Sequence, residues 1–427
     1  MRSPKNTMAK ISNRPSTKNF DPFRMRGMRS PRNPVQRLPR VALVIESSRT
    51  YGRGILRGIA KYSHLHGPWS CFTEERELHS GVPDWLKRWQ GHGIIARIED
   101  RRTANALLRL RHPVVDVLGN ARFEGIPTFD TDAREVARLV ADFFLQAGFR
   151  HFAFCGYKNI PFSDRRVAAF VDYLARVGHK VRVFSPPPSC RQPSDIQAVE
   201  RRGLGREKAI ATWLREQPHP LALFACNDVC GQQVLNACRE HEIKVPDEVA
   251  VMGVDNDDVL CSLCEPPLSS VEPDTERLGA EAAALLDAMM AGKRAKIDLV
   301  EIPPLRVVER ASTDVVAIED AITVQAVRFI RDHVDEGISV KDVLANSGRS
   351  RTDLEQRFHR WLKTSVRVEI IRRRLDRVCS LLQQSDLNLE EIGRRTGFSA
   401  TAHLCRLFQD RLGQTPTQYR HLHKTRR

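Results

Sequence analysis

From Arg40 onward, short apolar runs alternate with helical stretches, and the alternation happens twice. RVALVIESS (Arg40–Ser48), GHGIIARI (Gly91–Ile98) and HPVVDVLG (His112–Gly119) read as buried strands of a first set. Trp69–Glu75 is strand-like, Pro83–Gln90 helical, and Tyr51–Gly67 and Ala133–Ala147 are helices, the second introduced by IPTFDTD. RHFAFCGY (Arg150–Tyr157) opens a second set, continued by KVRVFSP, LALFACND (Leu221–Asp228) and EVAVMGVDN (Glu248–Asn256). Its helices are expected over Arg165–Val177, Arg206–Glu216 and Gly231–His241. Such alternation builds parallel sheets, because each strand needs a crossover before the next. Two sets in tandem therefore predict an α/β body of two lobes with a cleft between them. Pro267–Val271 and Ile302–Arg310 are expected to cross between the lobes, around a helix over Arg277–Ala291.

Ligands of open α/β sheets sit beyond the carboxyl ends of the strands. Ser47 and Arg53 follow the first strand, Asn120 follows VVDVLG, and Arg166 (with Arg165 beside it) follows the strand ending at Tyr157. Asp228 ends LALFACND, and Asp255 and Asn256 end EVAVMGVDN. Carboxylates, amides and guanidiniums near Tyr51 and Phe162 suit a polyhydroxylated ligand. Each hydroxyl both donates and accepts, and burying it requires a partner for each role. The same residue types also cap helices.

The last hundred residues carry a different pattern. In Asn388–Arg420, Asn388 precedes an apolar-periodic run with Glu391 three residues on, the spacing of a capped helix start. Gly397 stops that helix, Phe398 can plug the gap to the next, and Ser399 is the expected cap of a second helix. Leu404, Leu407, Phe408 and Leu412 form the inner stripe of that helix, leaving Thr401, Ala402, His403 and Arg406 outside. Val340–Leu362 repeats the arrangement, with Gly348 at the turn, Ser350 and Asp353 at a capped start, and Leu354, Phe358 and Leu362 as the core stripe. Spacing alone describes equally a surface helical hairpin and a helix-turn-helix.

Charge separates the regions. Residues 1–40 hold eleven Lys or Arg against one acidic residue, 41–320 hold 36 against 39, and 321–427 hold 21 against 12. A near-neutral body with basic ends suits a polyanion, which charge alone does not identify as DNA, RNA or anionic lipid. Residues 1–38, rich in Arg, Pro, Asn and Ser, are expected to be a disordered basic tail. They are either a loose DNA-contacting arm or an over-long start, with Met25 and Met28 as later initiators. No apolar run approaches the length of a membrane span and no signal-peptide core is visible, so the chain is expected in the cytoplasm with no membrane role. Ten cysteines lie scattered, with Cys261 and Cys264 as a lone CxxC, so neither a metal nor a cofactor is expected. With no GxxxxGK[ST] loop and no GxSxG elbow, no enzyme is expected.

Two resemblances sharpen these readings. GF-S-x(4)-L-x(2)-LF followed by LGQTPTQYR resembles the signature of AraC/XylS-type transcription activators. The upstream unit and the linker-helix pattern (Arg372–Leu387) are similar to that family too, with Val378 in place of its usual Ala. This resemblance implies an all-α C-terminal domain with two helix-turn-helix units that enter successive major-groove segments of double-stranded DNA. The positions it places against bases are Thr352, Glu355 and Gln356 in the first unit and Thr401, Ala402, His403 and Arg406 in the second. Arg406 would pair with guanine, Gln356 with adenine, and Glu355 would accept from cytosine. FACND-x(2)-G, VPDEVAVMGVDN, PPLSSV and VERAST resemble the effector domain of LacI/GalR-type regulators, which is similar to periplasmic sugar-binding proteins.

That second resemblance implies that Asp228, Asp255 and Arg166 line a sugar site, although the family's R-x-x-G-F reads RVAAF here. LacI-type proteins carry their DNA-binding helices first, and residues 1–39 hold nothing similar. A sensor over 39–314, a linker over 315–322 and a reader over 323–427 together resemble regulators of xylose operons. They imply D-xylose as effector, activation of sugar-catabolic genes, a homodimer and contact with RNA polymerase. The alternatives are a non-sugar ligand and a sensor that serves only to dimerise.

Overall fold

A computed structural model describes residues 38–76, 81–186, 200, 206–293, 298–315 and 320–423. The expected basic tail, apart from Leu38, and residues 316–319 of the expected linker lie outside the described residues.

The first lobe is built from β1 (Arg40–Val44), α1 (Thr50–His66), β2 (Ser70–Phe72), β3 (Gly93–Ala96), α2 (Arg101–Leu108), β4 (Val114–Asp116) and β5 (Thr128–Thr131). The second holds α3 (Ala133–Gln146), β6 (His151–Cys155), α4 (Pro161–Arg176), β7 (Val181–Val183), α5 (Glu207–Arg215), β8 (Leu221–Ala225), α6 (Asp228–Glu240), β9 (Val249–Val254), α7 (Asp258–Leu263) and β10 (Ser269–Glu272). The chain then returns through α8 (Thr275–Met290) and β11 (Leu299–Ile302) to the first lobe, and ends in the second with β12 (Arg306–Val308). Among the described residues each lobe has a six-stranded sheet, ordered β11-β5-β4-β3-β1-β2 and β12-β10-β9-β8-β6-β7. All pairings are parallel except β10 with β12. Central strands such as β8 and β9 are buried throughout, as expected of strands covered by helices on both faces.

Three crossings join the lobes, at β5–α3, β10–α8 and β11–β12. The stretch Ile302–Arg310, expected as one strand, is the end of β11 and the whole of β12 in different sheets. Pro303 and Pro304 explain the break, since proline has no N–H to continue a ladder. In the first lobe, α1 and α8 approach so closely that a Cβ on Gly58 would stand 2.0 Å from the Glu276 carbonyl oxygen, and one on Gly279 2.1 Å from that of Ile55. Two helices start three or four residues earlier than expected, while α1 and α8 start one and two residues earlier. α4 begins at Pro161, a residue pre-organised for a first turn, and α6 begins at Asp228 because Asn227 caps it. Pro83–Gln90 contains only a 3₁₀ turn, Asp84–Arg88, and the segment expected to lead into α3 contains β5.

The C-terminal region is helical. α9 (Ala321–His333) precedes the first pair, α10 (Val340–Ser347) and α11 (Arg351–Leu362). The long α12 (Val366–Gln384) leads to the second pair, α13 (Leu389–Arg395) and α14 (Thr401–Leu412), and then to α15 (Pro416–His423). α12 gives Val366 and Ile370 to one core, with Leu354 and Phe358, and Leu375, Val378 and Leu382 to another, with Phe398, Leu404 and Phe408. One continuous helix therefore fixes both units. Val378, the departure from the usual alanine, is fully buried in the second core.

Candidate functional site

Both sheets reverse their winding at neighbouring strands, β1 and β3 in one lobe and β6 and β8 in the other. Such switch points open a crevice at the strands' carboxyl ends. A cavity of about 320 Å³ lies there, walled by both lobes. Arg49, Tyr51, Arg97, Glu99, Asn120 and Asp130 line it from the first lobe; Asn159, Phe162, Arg166, Glu200, Asn227 and Asp255 line it from the second.

Charge in the cavity is compensated. Arg49 donates to Glu200 across the cleft at 3.1 Å, and Asn227 Nδ2 donates to the same carboxylate at 3.0 Å. Arg97 is paired with the buried Glu46. Arg166 donates to the Cys226 carbonyl and lies 3.8 Å from Asp255, with its guanidinium 5.2 Å from the Phe162 ring. Asn120 Oδ1 is buried with no hydrogen-bond partner among the described residues. It is an acceptor that a ligand hydroxyl can satisfy.

Asp255 is held in an unusual conformation. Asp255 and Asn256 have φ of 113° and 47°, which residues with a Cβ seldom adopt. The surroundings over-determine this turn, as strain at a functional site requires. Asp255 N–H donates to the Val271 carbonyl (3.0 Å), Asn256 N–H to Ser270 Oγ (3.0 Å), and Arg310 Nη2 to Asn256 Oδ1 (2.7 Å). Asp228 lies beneath the turn, accepting from Ser270 Oγ (2.6 Å) and from Asp257 N–H (2.8 Å). Burial pushes the Asp255 carboxyl up to about 6, with Arg166, Arg49 and Arg97 pulling it back. Burial and the neighbouring Asp255 push Asp228 up further, to about 8.

Of the sequence-derived ligand candidates, Asp255, Arg166 and Asn120 therefore meet in the cavity. Asp228 and Asn256 fasten the strained turn. Ser47 Oγ accepts from the Arg76 N–H (3.3 Å), and Arg53 turns back to the Ser47 carbonyl (3.0 Å) and to Thr50 Oγ1 (3.0 Å), so neither lines the cavity. The adjacent arginines divide their tasks: Arg166 faces the cavity, while Arg165 reaches across the cleft to the Gly119 carbonyl (2.8 Å) and Asp130 (2.6 Å). Sequence reasoning passed over Arg49, Arg97, Glu99, Asp130, Asn159 and Glu200 as lining residues. Arg97 could have been found, since it directly follows β3, and Asp130 is the penultimate residue of β5. Glu200 carries no local signal.

In the helical domain, Gly348 and Gly397 have φ of 61° and 70°, the left-handed turns that two helix-turn-helix units require. Ser350 caps α11 by accepting from Asp353 N–H (3.2 Å), and Asn388 caps α13 by accepting from Glu391 N–H (2.8 Å). The Glu391 carboxylate does not complete a capping box; it pairs with Arg394 and Arg395 (2.7 Å each). Ser399 does not cap α14. Phe398 is buried, the chain runs extended through Ala400, and the helix starts at Thr401 with no side-chain cap. Thr352, Gln356, Ala402 and Arg406 are exposed, while Glu355, Thr401 and His403 are half-buried. Glu355 accepts from Val366 N–H at 3.3 Å, tying α11 to α12.

Among the described residues no group of three or more His, Cys, Asp or Glu is arranged to hold a metal, and no helix is long and apolar enough to cross a membrane.

Residues 40–131 match a XylR N-terminal domain, 141–313 a periplasmic binding protein-like domain, and 344–421 a helix-turn-helix domain. Fold, cavity and paired helix-turn-helix units thus define a ligand-sensing, DNA-binding transcription regulator. The chain is homologous to the xylose operon regulatory proteins. It is 28% identical to that of Escherichia coli (strain K12) over 389 residues, 89% of this chain and 96% of the relative. It is 26% identical to that of Haemophilus influenzae, over 89% of this chain and 98% of the relative. The solved structure of the xylose-binding transcription activator xylR matches with a TM-score of 0.66 at 26% identity, covering 91% of this chain and 100% of that one.

Proposed function

We propose that the chain is a sugar-responsive transcription activator whose effector is D-xylose. The observation that carries this is the charge-compensated cavity, in which a strained turn presents Asp255 opposite an unsatisfied Asn120 acceptor. Paired charges leave little net attraction for an anion but many donors and acceptors for hydroxyls, which is the recognition problem of a neutral pentose. Its relatives are regulators of xylose operons, and the similar solved structure is described as xylose-binding.

In this reading, Asp255, Arg166 and Asn120 contact the sugar, Phe162 covers its apolar face, and Asp228, Asn256, Ser47 and Arg53 hold the loops that shape the pocket. The sensor spans 39–314, and residues 315–322 link it to the reader at 323–427. Thr352, Glu355, Gln356, Thr401, Ala402, His403 and Arg406 meet bases in successive major-groove segments. The protein works in the cytoplasm as a homodimer on tandem half-sites, beside RNA polymerase, with no cofactor and no catalysis. Sugar favours the closed lobes only by its differential affinity for them.

A thermal-melt screen against pentoses and hexoses tests the effector. A ligand of the folded state alone adds about 2.7 kcal/mol at a hundredfold excess over its Kd. The expected result is an upward shift with D-xylose. A shift with another sugar replaces the effector, and no shift with any sugar defeats the sugar reading.

A further inference from the structure

The chain's exit through residues 315–322 is one route from sensor to reader. The structure holds another. α6 starts at the cavity, where Asn227 lines the wall and caps the helix, and runs about 20 Å away from it at 1.5 Å per residue. β9 comes back and hands the chain to Asp255. Asp247 lies in the connection between them, at the end remote from the ligand. Its carboxylate takes Arg328 Nε at 3.0 Å and Arg331 Nη1 at 3.4 Å, both from α9 of the reader. Arg331 Nη1 also donates to the Asp314 carbonyl at 3.2 Å, and the Asp314 carboxylate pairs with Arg373 of α12. Arg373 is buried against Glu369, Nε to Oε1 at 3.0 Å, on the helix that fixes both helix-turn-helix units.

We propose that Asp247 is a positioning residue that transmits the ligand state of lobe two to the reader, through Arg328 and Arg331 and onward through Asp314 and Arg373. The two elements that flank Asp247 both end at the cavity, so a shift of the 255–257 turn or of the Asn227 cap moves the Asp247 corner with it. The contact is suited to switching. It is made by directional ion pairs beside a residual cavity of about 10 Å³, room for roughly one water, which Val315, Val324 and Val327 line with the two arginines. Ion pairs can exchange partners between two discrete arrangements, which coupling requires.

This inference rests on the reading that the cavity binds D-xylose, and its test separates the two. Full-length protein is used with a DNA duplex selected in vitro for tight binding. D-xylose affinity is measured by calorimetry, and DNA affinity by fluorescence anisotropy with and without saturating D-xylose. In the unmutated protein the sugar is expected to change DNA affinity at least about fivefold. Asp247→Asn and, from the reader side, Arg331→Gln are expected to shrink that change to within about twofold of unity, leaving D-xylose affinity within about twofold of the unmutated value. A residue that merely stabilises the fold would lower the melting temperature without uncoupling the two ligands. Full coupling in both variants overturns the inference, and so does full coupling in Arg331→Gln should Asp247→Asn lose its cooperative melt. Absence of D-xylose binding to the unmutated protein overturns the underlying reading instead.

Discussion

The cavity matches its arginines with carboxylates or carbonyls, whereas the reader, which pairs Arg357, Arg372, Arg373, Arg394 and Arg395, leaves others unmatched at its surface. Around the cavity, Arg49 meets Glu200, Arg97 meets Glu46, and Arg166 faces Asp255 and the Cys226 carbonyl. In the reader, Arg351, Arg367, Arg406 and Arg411 are exposed and have no ion-pair partner among the described residues. A guanidinium matched by a carboxylate is a fixed donor with little net field, fit for orienting a neutral ligand. An unmatched one on the surface keeps its field and its five donors for a phosphate or a base edge. The same residue type thus serves two kinds of ligand, separated by whether a carboxylate was placed beside it.

Salt tests this contrast most broadly. Each phosphate neutralised steepens the fall of log affinity with log salt by about 0.9. A reader contacting six or more phosphates should lose on the order of a thousandfold in DNA affinity between 50 and 200 mM salt. D-xylose affinity, measured by calorimetry in the same buffers, should move by less than about twofold, because screening acts weakly on buried compensated pairs. A steep salt dependence of sugar binding would mean that the cavity takes an anion.

Substitution sharpens the contrast residue by residue. Asp255→Ala removes the acceptor that the strained turn presents and leaves Arg166 without its facing carboxylate. D-xylose affinity should fall by at least about a hundredfold, the scale of losing a hydrogen bond to a charged group and leaving a charge unmatched. DNA affinity without sugar should stay within about twofold, since the partners of Asp255, Arg166 and the Val271 carbonyl, lie in the sensor and not in α11 or α14. Arg406→Ala should do the reverse, costing about 1–3 kcal/mol of specific DNA binding with sugar affinity unchanged. An unaltered footprint for that variant would remove Arg406 from the bases.

The smallest effect is that of pH. The Asp255 carboxyl, raised by burial to about 6, stays protonated well above the range of an exposed aspartate. Protonation replaces a charged pair of acceptor oxygens with a neutral acid, so D-xylose affinity should fall by up to about tenfold from pH 7 to pH 5, one unit below that midpoint. Stability of the free protein runs the other way. A carboxyl whose folded value is raised contributes stability that is complete below about 4 and is lost as pH rises through about 6. The unliganded protein should therefore gain from acidification through this window while the sugar-induced melting shift shrinks. Flat sugar affinity between pH 7 and 5 would place the recognition elsewhere in the cavity.

The reader was legible almost entirely in the sequence, because its determinants are local. Gly348, Gly397 and Phe398 lie within a few residues of the helices they join, and the stripes of Leu354, Phe358, Leu404 and Phe408 follow from helical spacing. Three local readings miss: Ser399 does not cap, because Phe398 sits deep and the chain runs extended through Ala400; Glu391 pairs with Arg394 and Arg395 rather than with the helix start; and Leu412, expected in the inner stripe, is 41% exposed at the last residue of α14. The two lobes were legible for the same reason, strand by strand. The cavity was legible only in part. Asp228 and Asp255 both follow buried strands closely, and their sequence context does not distinguish them. Only the packing of Ser270, 42 residues from Asp228, places one beneath the turn and the other in the cleft. Arg53 and Arg49 differ likewise by one turn of chain, and only the fold shows which of them faces Glu200. Cleft residues contributed by the opposite lobe depend on how two sheets face each other, and local spacing does not encode that.

The central claim is that one chain couples the compensated cavity to a net-basic reader with unmatched surface arginines. Its most direct test is the affinity of the full-length protein for an in vitro selected duplex, with and without saturating D-xylose. The account predicts tighter DNA binding with sugar by at least about fivefold in the unmutated protein. It also predicts no sugar effect in Asp255→Ala. Equal DNA affinity with and without a sugar that calorimetry shows to be bound would contradict it.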